Sequence, residues 1–234
     1  MNITIFGATG QVGSRILAEA TARGHHVTAV TRSGTSLDSS GSVTWIAGDA
    51  RNRRDVAHLS RGRDVVISAT SGPRAGGDEL AVTAEALLDG VTATGARLIV
   101  VGGAGSLIVP DSGGRLVVDD PRFVPASIRG VAQACVDQLA ALRENSTVDW
   151  TYFSPAAEMT AGRRTGRFRT GTDELIVDCD GTSRISLEDV AVVVLDEAER
   201  PRHVRAVLTA GYSDPVRHSR TIDAVTLRRA EVTA

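Results

Sequence analysis

The chain has 234 residues, 42% of them hydrophobic and 23% charged, and a net charge of -2. That length suits one α/β domain with a sizeable core, and the charge balance offers nothing to attract nucleic acid or a membrane surface. No basic leader, long apolar run or lipidation motif is visible, so a cytoplasmic protein without a membrane partner is expected. All 26 basic residues are arginine, with no lysine anywhere. Cys135 and Cys179 show no metal-ligand spacing, and Cys135 falls on the apolar face of a helix, where packing is its natural role.

Strand and helix signals alternate from the start. Residues 2–6 read as a strand, and Val12, Ile16, Leu17 and Ala20 mark one face of a helix that stops at Gly24. His26 to Thr31 and Val43 to Ala47 read as the next strands. Asp64 to Ala69 is a continuous apolar run suited to a strand covered on both faces. Leu80, Ala84, Leu87, Leu88 and Val91 keep helical spacing before a fifth strand, Leu98 to Val101. A helix over Ser127 to Arg143 carries the stripe Ile128, Val131, Ala132, Cys135, Val136, Leu139 and Leu142, and Asp149 to Phe153 follows as a sixth strand. Right-handed βαβ crossovers of this kind predict a Rossmann-type, doubly wound parallel sheet in the α/β class.

After Pro155 the composition changes. Thr160 to Thr172 is rich in Gly, Thr and Arg, strand signals appear at Glu174–Val177 and Val204–Thr209, and Ser186-Leu187-Glu188-Asp189 resembles a capping box opening a helix through about Glu199. The expected organisation is one domain over residues 1–212. Within it, 1–155 is the cofactor-binding core and 156–212 a small C-terminal substrate-facing lobe. Residues 213–234 read as a mobile tail.

The chemistry begins at Gly7-Ala8-Thr9-Gly10-Gln11-Val12-Gly13, a glycine-spaced turn between a strand and a helix. Gly7 permits the turn, Gly10 lets the backbone approach a pyrophosphate, and Gly13 lets the helix pack on the strand. The phosphates would meet the free N–H groups at the helix start, so Gly7, Thr9, Gly10, Gln11 and Val12 are expected contacts. Arg32 ends the second strand, nineteen positions after Gly13. An acidic residue there would take the ribose 2′-hydroxyl of NAD, whereas an arginine suits the 2′-phosphate of NADP. NADP is therefore preferred over NAD.

Asp49 and Ala50 follow the third strand and are placed to meet the adenine; Asp49 reads equally as a cap for a helix begun near Arg53. Ala69, Thr70, Ser71 and Gly72 would let the cofactor ribose pass close to the backbone. Arg163, Arg164, Arg167 and Arg169 form a basic stretch, read either as a solvated loop or as a holder for a flavin phosphate.

The chain resembles an atypical short-chain dehydrogenase/reductase of the nitrogen-repression-regulator-like kind, and most closely the bacterial NADH-flavin reductase family, also described as NAD(P)-binding epimerase-like. The resemblance rests on Gly7–Gly13, Gly48-Asp49, Val101–Leu107, Asp149–Ala156, Thr165–Arg169, Ser183–Val190 and Thr209–Tyr212, and runs from residue 1 to about 212. It implies that Gly103, Pro155 and Ala156 border the nicotinamide and that Ser106 is the catalytic candidate, placed to hydrogen-bond a substrate oxygen. Short-chain reductases mostly pair a Tyr with a Lys four residues later; the Ser127–Arg143 helix has neither.

The chain's tyrosines are Tyr152 and Tyr212, and Tyr152 sits inside a predicted strand, where packing is expected. The resemblance then implies an NADPH-dependent oxidoreductase passing hydride to a flavin, quinone or similar acceptor that needs little acid help. Its partner is a small-molecule substrate, and a monomer or homodimer is expected. The alternative is a non-enzymatic NADP(H)-binding redox sensor, disfavoured by the short length and the lack of an added protein-binding domain. A cofactor-using epimerase is weaker because the acid/base pair is missing.

Overall fold

The computed structural model describes residues 1–34, 43–72 and 77–213. Its elements in chain order are β1 (Asn2–Phe6), α1 (Gln11–Ala22), β2 (His26–Thr31), β3 (Val43–Ala47), α2 (Arg53–Leu59), β4 (Val65–Ser68), α3 (Glu79–Thr92) and β5 (Arg97–Val101). There follow α4 (Arg129–Arg143), β6 (Trp150–Pro155), β7 (Glu158–Thr160), β8 (Arg169–Gly171), β9 (Arg184–Ser186), α5 (Leu187–Glu199) and β10 (Ala206–Gly211).

The main sheet runs β3-β2-β1-β4-β5-β6-β10-β8, parallel from β3 to β10, with β8 antiparallel at the edge. Alternation along the strands decides which face each side chain serves. Ile3, Val65, Ile67, Ile99, Val101 and Phe153 pack with Ile16 and Ala20 of α1 and Val190, Val194 and Leu195 of α5. Val66, Leu98, Val100, Trp150 and Tyr152 pack on the other face against Val56 of α2, Leu87 and Val91 of α3 and Leu139 of α4. Strands buried on both faces read as near-continuous apolar runs, as Val65–Ile67 of β4 and Leu98–Val101 of β5 do.

Tyr152 is fully buried, and its hydroxyl donates to the Cys135 carbonyl at 2.8 Å. Burial pushes its phenol well above the usual range. The hydroxyl also fills the space beside β5: a Cβ on Gly102 would stand 1.8 Å from it. Burial likewise pushes the Cys135 thiol up to about 11, which suits a packing role.

After β6 the chain departs from the expectations in two places. Glu174–Val177 is not a strand. Glu174 makes a single bridge with Ile108, and Ile176 crosses the end of β10, 3.1 Å from where a Cβ on Gly211 would lie. The edge of β10 is taken by β8, inside the segment read as a loop. At the start of α5, Ser186 Oγ accepts from the Asp189 N–H at 3.0 Å, but the return arm of a capping box is missing. The Ser186 N–H donates to the Tyr212 hydroxyl, and the buried Asp189 carboxylate accepts from Thr165, Gly166 and Tyr212. Tyr212, the last residue of the expected domain, is thereby fixed to α5. Residues 214–234 of the expected tail lie outside the described residues.

Candidate functional site

The turn from β1 into α1 sits at the carboxyl ends of the parallel strands, where the order reverses between β1 and β4. Gly7 has φ +77°, and a Cβ there would stand 2.6 Å from the Ala69 carbonyl oxygen. The end of β4 thus passes so close that only glycine fits. A Cβ on Gly13 would stand 2.1 Å from the Gly7 carbonyl oxygen, which holds α1 hard against the turn. Gly10 caps α1 with no side-chain hydrogen bond, and no acidic residue lies in the first turn. The first-turn N–H groups, on Gln11, Val12 and Gly13, are therefore left for an anion.

Around this turn lies a cleft of about 330 Å³. It is lined by Gly7, Thr9 and Gly10 from the turn, by Arg32, Asp49 and Ala50 beyond the ends of β2 and β3, and by Ala69, Thr70 and Ser71 beyond the end of β4. Nine sequence-predicted positions thus meet in one cleft. Gln11 and Val12 open α1 beside it. Gly103, Ser106, Pro155 and Ala156 lie further along the same sheet edge, at the ends of β5 and β6. From β2 to β6 the edge spans four interstrand steps of about 4.8 Å, a run suited to an extended dinucleotide.

Sequence reasoning missed Arg51, Glu79, Leu80 and Thr83, which also line the cleft. Arg51 carried a signal, standing two residues after Asp49, whereas α3 delivers the others through tertiary packing. Arg51 bonds Asp49 at 2.9 Å, and it chiefly holds that carboxyl below its usual range. Capping of α2 falls to Asn52, whose side chain accepts from the Arg54 N–H at 3.0 Å; Asp49 is not the cap. Arg32 is exposed at the same end, close enough for its charge to lower Asp49 as well.

Further along the edge, Ser106 is half-buried, with its Oγ 3.2 Å from that of Ser154. Ala156 is buried, and its N–H bonds the Ala210 carbonyl at 3.1 Å. Within the basic stretch, Arg164 spends both guanidinium contacts on Glu19, at 2.8 Å each, across the last turns of α1. A second cleft of about 360 Å³ lies at the opposite, amino edge, lined by Glu197, Arg202 and His203 among others. Its Glu197 is already held by Arg97 and His203, so the glycine-lined cleft is the better cofactor site. Among the described residues no group of His, Cys, Asp and Glu could hold a metal, and no helix is long and apolar enough to cross a membrane.

Many solved structures resemble the chain, among them the following three. A Burkholderia pseudomallei protein provisionally named as exported is 42% identical, with TM-score 0.80, covering 91% of this chain and 100% of that one. A Bacteroides thetaiotaomicron protein provisionally named an epimerase is 38% identical, with TM-score 0.82 and coverage of 91% and 97%. A Streptococcus pneumoniae protein provisionally named an NADH-flavin reductase is 30% identical, with TM-score 0.78 and coverage of 91% and 100%. The family model described as NAD(P)H-binding matches residues 7–201. With the uncapped helix, the glycine cradle and the cleft in register with that match, the chain belongs to the NAD(P)H-binding family.

Proposed function

We propose that this NAD(P)H-dependent oxidoreductase draws on NADPH and reduces a flavin, quinone or similar conjugated small molecule. When bound, the cofactor supplies the hydride; the protein positions it and excludes water. Gly7, Thr9, Gly10, Gln11 and Val12 cradle the pyrophosphate, and Asp49 and Ala50 meet the adenine. Ala69, Thr70 and Ser71 flank the ribose, and Gly103, Pro155 and Ala156 border the nicotinamide. Ser106 faces the acceptor.

One observation carries the acceptor class: both tyrosines are committed to structure. Tyr152 is buried on Cys135, and Tyr212 donates to Asp189 at 2.6 Å. With no lysine in the chain, no side chain is set to protonate a carbonyl oxygen in the manner of a Tyr–Lys pair. An acceptor that delocalises the incoming charge over its rings does not need one. The same shortage weighs against epimerisation, which needs acid and base groups at one carbon. The name of the Streptococcus pneumoniae relative supports the flavin reading.

Preference for NADPH follows from charge. Arg32 and Arg51 line the same cleft, and the two carboxylates there, Asp49 and Glu79, lie 2.9 Å and 3.9 Å from the Arg51 guanidinium. A 2′-phosphate gains from the two guanidinium groups, whereas a bare 2′-hydroxyl would have to draw a carboxylate away from Arg51. Dependence on NADPH also favours a cytoplasmic location over the export named for the Burkholderia pseudomallei protein.

The test is stopped-flow mixing of NADPH-loaded protein with FMN, FAD and simple quinones. Oxidation of NADPH above the uncatalysed rate is expected. Tight NADPH binding without turnover on any acceptor would sink the proposal and leave a redox-sensing role.

A further inference from the structure

Ser106 ends the 3₁₀ turn Ala104–Ser106 that follows β5. Its Oγ lies 3.2 Å from the Oγ of Ser154, which is fully buried on β6. Ser154 Oγ in turn lies 3.0 Å from the Gly103 carbonyl oxygen. A carbonyl can only accept, and a serine hydroxyl carries a single proton. Ser154 therefore gives its proton to Gly103. The contact between the two serines can then be a hydrogen bond only if Ser106 donates. Reversing the chain would cost the Gly103 carbonyl its bond from Ser154 in a part-buried setting.

We infer that Ser154 fixes the proton of Ser106 inward, so that Ser106 meets the acceptor as a hydrogen-bond acceptor and selects a ring that presents an N–H. The inference rests on the acceptor site proposed above and narrows its chemistry. The imide N–H of a flavin-like ring matches Ser106; a quinone edge, which offers only carbonyl oxygens, does not. This reverses the role expected from sequence, in which Ser106 bonds a substrate oxygen. Ser154 is a positioning residue, acting only through Ser106. Ser106 supplies no proton either. As hydride passes from NADPH to the ring, the nicotinamide is oxidised and the ring gains two electrons, and water provides the balancing proton.

The experiment compares binding of lumiflavin and of its N-methylated imide analogue to the NADP⁺-loaded protein by fluorescence. The wild type is expected to prefer the N–H form by roughly three- to tenfold, the reach of one hydrogen bond. Ser106→Ala should abolish the preference. Ser154→Ala, which frees the Ser106 hydroxyl to rotate, should shrink it, and Ser154→Thr, which keeps the hydroxyl, should restore it. Equal binding of the two rings by the wild type overturns the inference whatever the turnover, and a preference that survives Ser154→Ala but not Ser106→Ala removes Ser154 from it.

If neither flavins nor quinones are reduced while the N–H preference stands, the reductase reading fails and the inference does not. Neutron diffraction from the wild type decides the matter should the variants not fold. A deuteron on Ser106 aimed at Ser154 supports the inference, and one aimed into the cleft overturns it.

Discussion

On the proposed reading, Arg32 decides between two cofactors that differ by one phosphate. Arg32→Ala removes a charge-assisted contact worth about 1.5–3 kcal/mol. NADPH affinity should therefore fall roughly tenfold or more while NADH affinity barely moves, as fluorescence titration of both would report. Equal losses would take Arg32 out of the phosphate site. The same end of the cleft shows what a sequence displays and what it withholds. The place of Arg32 in the cleft lining was legible because its distance from Gly13 is set by one helix and one strand. The pairing of Arg51 with Asp49 was not, because two exposed residues so close in sequence can bond, point apart or face a ligand. Only the packed cleft fixes which.

Elements are held by contacts that a single atom can spoil. Gly13→Ala places a methyl where the Gly7 carbonyl already stands, so α1 must retreat from β1. Overpacking of this sort costs about 1–3 kcal/mol, and both the denaturation midpoint and NADPH affinity should drop. At α5, Asp189 accepts from the Thr165 N–H at 2.8 Å, the Gly166 N–H at 2.8 Å and the Tyr212 hydroxyl at 2.6 Å. Asp189→Ala strips these donors in a buried place, at roughly 1–3 kcal/mol for each left unmade. A large loss is expected in urea unfolding, and Tyr212→Phe should cost less. Seven strands of the main sheet were readable from apolar runs. The eighth, β8, was not: Arg169-Thr170-Gly171 carries no strand pattern, and pairing with β10 creates it. Conversely Leu175 and Ile176 look like a strand because they are buried, yet they cross the end of β10 instead of joining it.

For the whole molecule, one ionic cluster ties distant parts of the chain. Glu19 of α1 holds Arg164 from the loop after β7, and Arg23 reaches Asp196 and Glu199 of α5. The Arg164 guanidinium, with help from Arg23, lowers the Glu19 carboxyl to about 2, against an ordinary 4.5. A carboxylate depressed on folding adds stability above its unfolded value and forfeits it as protons return. The fold should therefore lose stability as pH falls from about 4.5 towards 2, and Glu19→Gln should flatten that decline in urea titrations. NADPH works in the other direction. At a hundred times its dissociation constant a ligand adds about 2.7 kcal/mol to folding, so the melting temperature should rise by roughly 5–10 °C for a chain of this size. The layered architecture behind this cooperativity was visible in the sequence, because alternation and spacing repeat along the chain. The cluster joining α1, the loop and α5 was not, since its partners lie more than a hundred residues apart.

The meeting of Gly102 and the Tyr152 hydroxyl also constrains how this chain can change over time. A methyl at position 102 and a phenol at position 152 claim the same space. Neither position is free to drift alone, and the order of two substitutions matters as much as their identity. Alanine at 102 is viable only in a lineage that has already traded the tyrosine for something shorter. Descendants that keep the tyrosine are bound to the glycine, a case of sign epistasis written into one van der Waals contact.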